Sequence, residues 1–150
     1  MLIKLYDNII MSKLQLPNFG QEIICRERLL SEVRNFKDRN ITYVVAPAGY
    51  GKTVFVRQFI ESLKTPFVWY QIDPFDNEPA QFFQYLIFGL SSAIPDFQIT
   101  IPEFNPAKVK SDKTSYDIMT KIINELETKV STGLIVVFDD FHLITEGVSP

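Results

Sequence analysis

The residues with the clearest chemical capacity form one run: Ala46, Pro47, Ala48, Gly49, Tyr50, Gly51, Lys52 and Thr53, followed by Val54. The run fits G-x-x-x-x-G-K-[ST] at every defined position but the first, where alanine replaces glycine. A polyphosphate is a dense anion. Glycines let consecutive backbone N–H groups turn toward such an anion without side chains in the way, and a helix opening just after the loop adds partial positive charge. In this arrangement Lys52 brings an ammonium to the β and γ phosphates, Thr53 offers its hydroxyl to Mg²⁺, and Tyr50 contributes mainly its backbone. ATP or a similar nucleoside triphosphate is the expected ligand. The alternative is a fortuitous glycine turn, but a strand before the run and a helix after it supply the context the motif requires.

A second group closes the sequence. Leu134 to Phe138 is wholly apolar and delivers Asp139 and Asp140 to its carboxyl end, a Walker B pattern. Ligands of parallel α/β sheets collect at that edge, which suits Asp139 to Mg²⁺, directly or through water, and Asp140 to orienting or deprotonating the attacking water. Taken alone, the two aspartates could equally cap a turn. His142, the one histidine, has no ligand-spaced partners for a metal site and reads as a packing or outer residue near the acids. Cys25 has no histidine beside it and reads as a small buried hydrophobe. The thirteen phenylalanines read mostly as core.

The elements that must position these groups follow from periodicity. Residues 1–20 show no clear period and end in Pro17, Asn18, Phe19 and Gly20, an arm or linker; Met11 is a conceivable start. From Glu27 to Arg39, Leu29, Leu30, Val33 and Phe36 share one helical face. Ile41 to Ala46 is β-branched and aromatic and reads as a strand, and Phe55, Phe59 and Leu63 mark the helix after the loop. Pro66 to Ile72 reads as a further strand. The polar turn Asp73 to Pro79 then leads into a helix carrying Phe83, Leu86, Ile87, Leu90 and Ile94. The stretch through Pro95, Pro102 and Pro106 reads as a surface loop. Tyr116, Met119, Ile122, Ile123, Leu126 and Val130 form the expected stripe of a last helix, ended by Gly133 before the Leu134 strand. Alternating strands and helices imply an α/β fold with a parallel sheet and flanking helices.

Composition sets the bounds. At 150 residues with 46% apolar content, the chain has the size and core of one globular domain. A net charge of −3 without a basic stripe gives no reason for this segment to bind nucleic acid directly. A single cysteine, no signal-peptide pattern and no apolar run near the roughly 20 residues a bilayer crossing needs point to a cytoplasmic setting without membrane contact.

APAGYGKT, the later WYQIDPFDNEPAQFFQYL (Trp69 to Leu86) and the closing LIVVFDDFHLI (Leu134 to Ile144) together resemble the MalT-like branch of the STAND NTPases, over roughly residues 15–145. The resemblance implies an ASCE/AAA-like P-loop fold in an ATP-dependent signalling switch, often a large LuxR-type transcriptional activator whose DNA-binding domain lies C-terminal. It implies ADP in a closed resting form, ATP and an inducer in an open self-associating form, and slow hydrolysis that resets the switch. The A-P-A-G-x-G-K-T variant is usual there. The stretch Ile24 to Leu30 is implied near the adenine, or else Ile24, Leu29 and Leu30 simply dock the first helix. The family's sheet order, 5-1-4-3-2, puts the strand after Walker B between the phosphate-loop strand and the Walker B strand. The 150 residues end at Pro150, before that strand. On this reading residues 1–20 are an arm and 21–150 the front part of an NTPase domain, incomplete on its C-terminal side, with unpaired inner strand edges, weak ATP binding and little hydrolysis on its own. A small-molecule or nucleotide kinase and a non-catalytic remnant that only binds remain the competing classes. Lys52 is expected to face solvent in the empty loop.

Overall fold

The computed structural model describes residues 9–20, 23–34, 40–99 and 112–144. The chain forms two compact units, one of Leu16–Thr65 and one that joins Met1–Gln15 to Pro66–Pro150.

In the second of these, β1 (Phe67–Gln71) runs parallel to β2 (Ile135–Asp139), with Phe67 opposite Ile135 and Gln71 opposite Asp139. Parallel neighbours need a long crossover, and α3 (Pro79–Ala93) and α4 (Asp112–Lys129) lie in it. The parallel pair with its helices is the α/β arrangement that the alternation of strands and helices in the sequence implies. Alternation along β1 sends Val68, Tyr70 and Ile72 to one face, where all are buried. Pro79 opens α3 at a position where its missing N–H costs nothing. Phe83, Leu86, Ile87 and Leu90 of α3 then close over Val68, with Ile118 and Ile122 of α4 completing the core.

α3 comes close to β1 at Gly89. A Cβ built there would stand 2.6 Å from Val68 Cγ1 and 3.4 Å from Leu14 Cδ2, so the backbone of α3 rests directly on the Val68 side chain.

The Leu16–Thr65 unit holds α1 (Glu27–Arg34) and α2 (Lys52–Glu61). Leu30 of α1 and Phe55 and Ile60 of α2 are buried. Arg57 Nη1 donates to the Pro17 carbonyl and Gln58 Nε2 to the Ile24 carbonyl, which ties the incoming chain to α2.

Several expectations need correction. Residues 41–46 carry no strand: Ile41 is 69% exposed, Tyr43 78% and Val45 89%. A strand exists through its ladder, and among the described residues nothing pairs with this segment. On α4 the core stripe is Ile118, Ile122, Leu126 and then Val130, while Tyr116, Met119 and Ile123 are exposed. β2 is half-buried throughout rather than fully enclosed. Cys25 is exposed because it sits in irregular chain ahead of α1, and the Ile24 side chain is 85% exposed, so Ile24 is held through its carbonyl, while of Ile24, Leu29 and Leu30 the last is the buried one. Phe75 and Phe141 are exposed too, both in short turns at the strand ends. The rest of the first helix to Arg39, with Phe36, and the proline loop through Pro102 and Pro106 lie outside the described residues. Among the described residues no helix is long and apolar enough to cross a membrane.

Candidate functional site

The loop before α2 is built on two glycines with left-handed backbones. Gly49 has φ +81° and Gly51 φ +74°, values that most L-residues reach only with strain. Tyr50 N–H donates to the Pro47 carbonyl at 3.4 Å, closing a turn, and the Tyr50 ring is 63% exposed. Gly51 is the N-cap of α2 and has no side chain with which to cap it, so the first turn opens toward the loop. A Cβ at Gly49 would meet nothing within 4 Å, which leaves room above the turn for a ligand. Thr53 and Val54 follow Lys52 in the first turn of α2 and are half-buried.

Lys52 does not project freely into solvent. Its Nζ donates to the carbonyls of Ala46 at 2.9 Å and Pro47 at 3.2 Å, so the ammonium is folded back across the mouth of the loop. An ammonium needs acceptors, and the loop's own carbonyls supply them. Arg26, which sequence reasoning did not single out, stands at the same place. Its guanidinium would lie 3.3 Å from a Cβ on Gly51. The signal available for it was only its position within Ile24 to Leu30.

The acids lie in the other unit. Asp139 is the last residue of β2, and Asp140 adopts φ +57°, ψ +32°, a left-handed turn that an aspartate tolerates better than a branched residue. Asp140 N–H points to Asp139 Oδ1 at 3.2 Å, and a short turn, Phe141–Leu143, follows. His142 is not packed: its side chain is 73% exposed, with Nδ1 3.9 Å from Asp140 Oδ1.

The same unit holds a charged cluster that the sequence concealed. Lys13 is buried, and its Nζ donates to Asp73 Oδ2 at 2.9 Å and to Asp76 Oδ2. It also lies 4.4 Å from the centre of the Tyr85 ring. Asp76, 1% exposed, accepts from Asp73 N–H and from Gln81 Nε2, so the buried carboxylate is well supplied with donors. Ile10 N–H donates to Tyr85 Oη at 3.0 Å, and Ile9 and Leu14 pack against Tyr70, Ile72 and Tyr85. Part of the expected arm is therefore a docked segment, with Met11–Leu14 in a short 3-10 turn. Burial, then the neighbouring Asp76 carboxylate, pushes the Tyr70 phenol far above its ordinary range, and its buried hydroxyl makes no hydrogen bond of ordinary geometry.

Asp73 behaves oppositely. Partial burial works to raise its carboxyl pKa, but the hydrogen bond and charge of Lys13, with the N–H groups of Phe75 and Asp76, outweigh it and hold the value below normal. The unfolded chain takes up this proton near its ordinary value of about 4, and the folded chain only at lower pH. The stabilisation is thus complete above about pH 4 and drains away as pH falls through the folded value. Melting the wild type and Asp73→Asn from pH 7 down to 3 should show the wild-type advantage shrinking below about pH 4; a gap that stays constant to pH 3 counts against the ion pair.

Comparison with known proteins fits this architecture. A family model described as an AAA domain matches residues 33–149. The HTH-type transcriptional regulator MalT of Cronobacter sakazakii is 32% identical over 143 residues, covering 93% of this chain and 15% of that protein. MalT of Serratia proteamaculans is 34% identical over 143 residues, with the same coverage of 93% and 15%. The chain thus spans about 15% of the length of the relatives it matches. A glycine turn at a helix start, a parallel strand ending in two aspartates and a family model that takes in both have one common reading: the chain belongs to the AAA-domain family of P-loop NTPases.

Proposed function

We propose that this chain is the ATP-binding part of a MalT-like regulator, in which nucleotide state selects between two conformations. The observation that carries the reading is the loop ahead of α2, with left-handed Gly49 and Gly51, an uncapped helix start and Lys52 across its mouth. Residues 21–150 act as the NTPase portion, and of the stretch 1–20 ahead of it the part around Lys13 is docked rather than a free arm.

The residues fit the expected groups. The space above Gly49 is open, and the N–H groups from Ala48 to Val54 suit phosphate oxygens, with Ala46 and Pro47 leading into the turn. Lys52 would exchange the Ala46 and Pro47 carbonyls for β and γ phosphate oxygens, and Arg26 is placed to add a second cation near Gly51. Thr53 and Asp139 are the proposed protein contacts of Mg²⁺, which when bound neutralises phosphate charge. Asp140 orients the attacking water.

The relatives are HTH-type transcriptional regulators. We infer for this chain a switch in which ADP holds a resting form, ATP a self-associating one, and slow hydrolysis returns the first. Work of this kind is cytoplasmic, and the acidic balance of this segment, −3, leaves DNA contact to other parts of such a regulator. Titration calorimetry with ATP and ADP, with and without Mg²⁺, tests the assignment on this chain and on a longer version. Saturable binding that Mg²⁺ strengthens for ATP is expected, weaker in the shorter chain. Heat absent from both versions at millimolar nucleotide would remove the reading.

A further inference from the structure

The buried Lys13 cluster has no part in the site as read so far, yet it is bonded to the acidic end of β2 through a short relay. Lys13 Nζ fixes both carboxylates of the Asp73–Asn77 turn. That turn is closed on itself, because Asp73 Oδ1 accepts from Phe75 N–H while Asp76 Oδ2 accepts from Asp73 N–H. It is then laced to the neighbouring strand. Ile72 N–H donates to the carbonyl of Asp139 at 3.0 Å, and Asn77 Nδ2 donates to the carbonyl of Leu143 at 2.8 Å. These two bonds bracket the left-handed Asp140 on either side. An apolar cluster runs in parallel with the relay, since Leu14 of the docked segment and Phe138, Leu143 and Ile144 all pack about Tyr70, Ile72 and Tyr85.

The left-handed Asp140 at the head of a three-residue turn is bonded, among the described residues, only to its near neighbours in the chain, so its aim depends on what grips the residues before and after it. We propose that Lys13 is a positioning residue for Asp139 and Asp140: it clamps the Asp73–Asn77 turn, and that turn holds both flanks of the acidic pair. The proposal rests on the reading of Asp139 as a Mg²⁺ contact. It adds that the docked N-terminal segment sets the quality of that contact. Supporting groups of this kind change metal affinity by about 10-fold or more when removed.

The test uses the intact protein with Asn77→Ala, Lys13→Met and Asp139→Ala. Amide exchange without nucleotide or metal reads the relay directly. Lys13→Met should speed exchange at Ile72 by about 10-fold and leave the α2 amides unchanged, whereas a general loss of stability would move both. ATP affinity with and without Mg²⁺ reads the consequence. Asn77→Ala and Lys13→Met should each lower the gain in affinity that Mg²⁺ gives by about 10-fold, with metal-free affinity untouched, and Asp139→Ala should abolish the gain. If Asp139→Ala loses the gain and Asn77→Ala keeps all of it, the relay is refuted while the Mg²⁺ reading stands. If Asp139→Ala keeps the gain, the Mg²⁺ reading fails and the relay with it. Should Lys13→Met not fold, Asn77→Ala decides, since it cuts the lacing without leaving a buried charge unpaired.

Discussion

Replacing Lys52 with alanine is expected to weaken ATP binding about 100-fold and to leave the melting temperature where it is. A charge-assisted hydrogen bond contributes about 1.5–3 kcal/mol, and the upper value corresponds to about 100-fold in affinity. The upper value applies because the ammonium meets a polyphosphate rather than a neutral acceptor. Stability should hardly change, since the bonds lost in the free chain are to Ala46 and Pro47 carbonyls of the same exposed loop. Those carbonyls turn to water when the ammonium is gone. Calorimetry and a thermal melt on the same sample check both halves, and undiminished affinity would dismiss the loop as the phosphate site.

Substituting valine for Gly89 should lower stability by about 3 kcal/mol, at the high end of what overpacking a core costs. A glycine inside a helix gives up about 1 kcal/mol against alanine, so its presence in α3 asks for a reason. The reason is steric: the first added carbon would lie 2.6 Å from Val68 Cγ1. Either α3 lifts from β1, opening voids among Phe83, Leu86 and Leu90, or Val68 leaves its rotamer. The melting temperature should fall by roughly 10 °C. Pairing the change with Val68→Ala removes the obstructing methyl and should recover a good part of the loss, an interaction a double-mutant cycle measures. A Gly89→Val protein melting with the wild type would show that the contact yields more easily than its geometry implies.

What the sequence disclosed divides along physical lines. The strand at Phe67–Gln71 and the helix at Pro79–Ala93 were legible because their apolar positions are dense and their limits are marked by Pro66, Asp73 and Pro79. The loop glycines were legible because few other residues adopt positive φ. Residues 41–46 misled because β-branched and aromatic content favours a pleated surface but cannot furnish a partner to hydrogen-bond with. On α4, Tyr116 and Met119 looked as suitable for the core as Ile118, and the choice was made by where the helix meets α3 and the strands. Lys13 was invisible for a different cause. A lone lysine in an aperiodic arm reads as solvated, and the carboxylates that bury it lie 60 and 63 residues further along.

That separation carries a consequence for how the chain matures. Lys13 leaves the ribosome well before Asp73 and Asp76, so it must remain hydrated while all of Leu16–Thr65, the other unit, is synthesised. Closing a loop of that length costs chain entropy before any contact repays it, and such pairings form late. The segment made before its partners is therefore among the last to reach its native place.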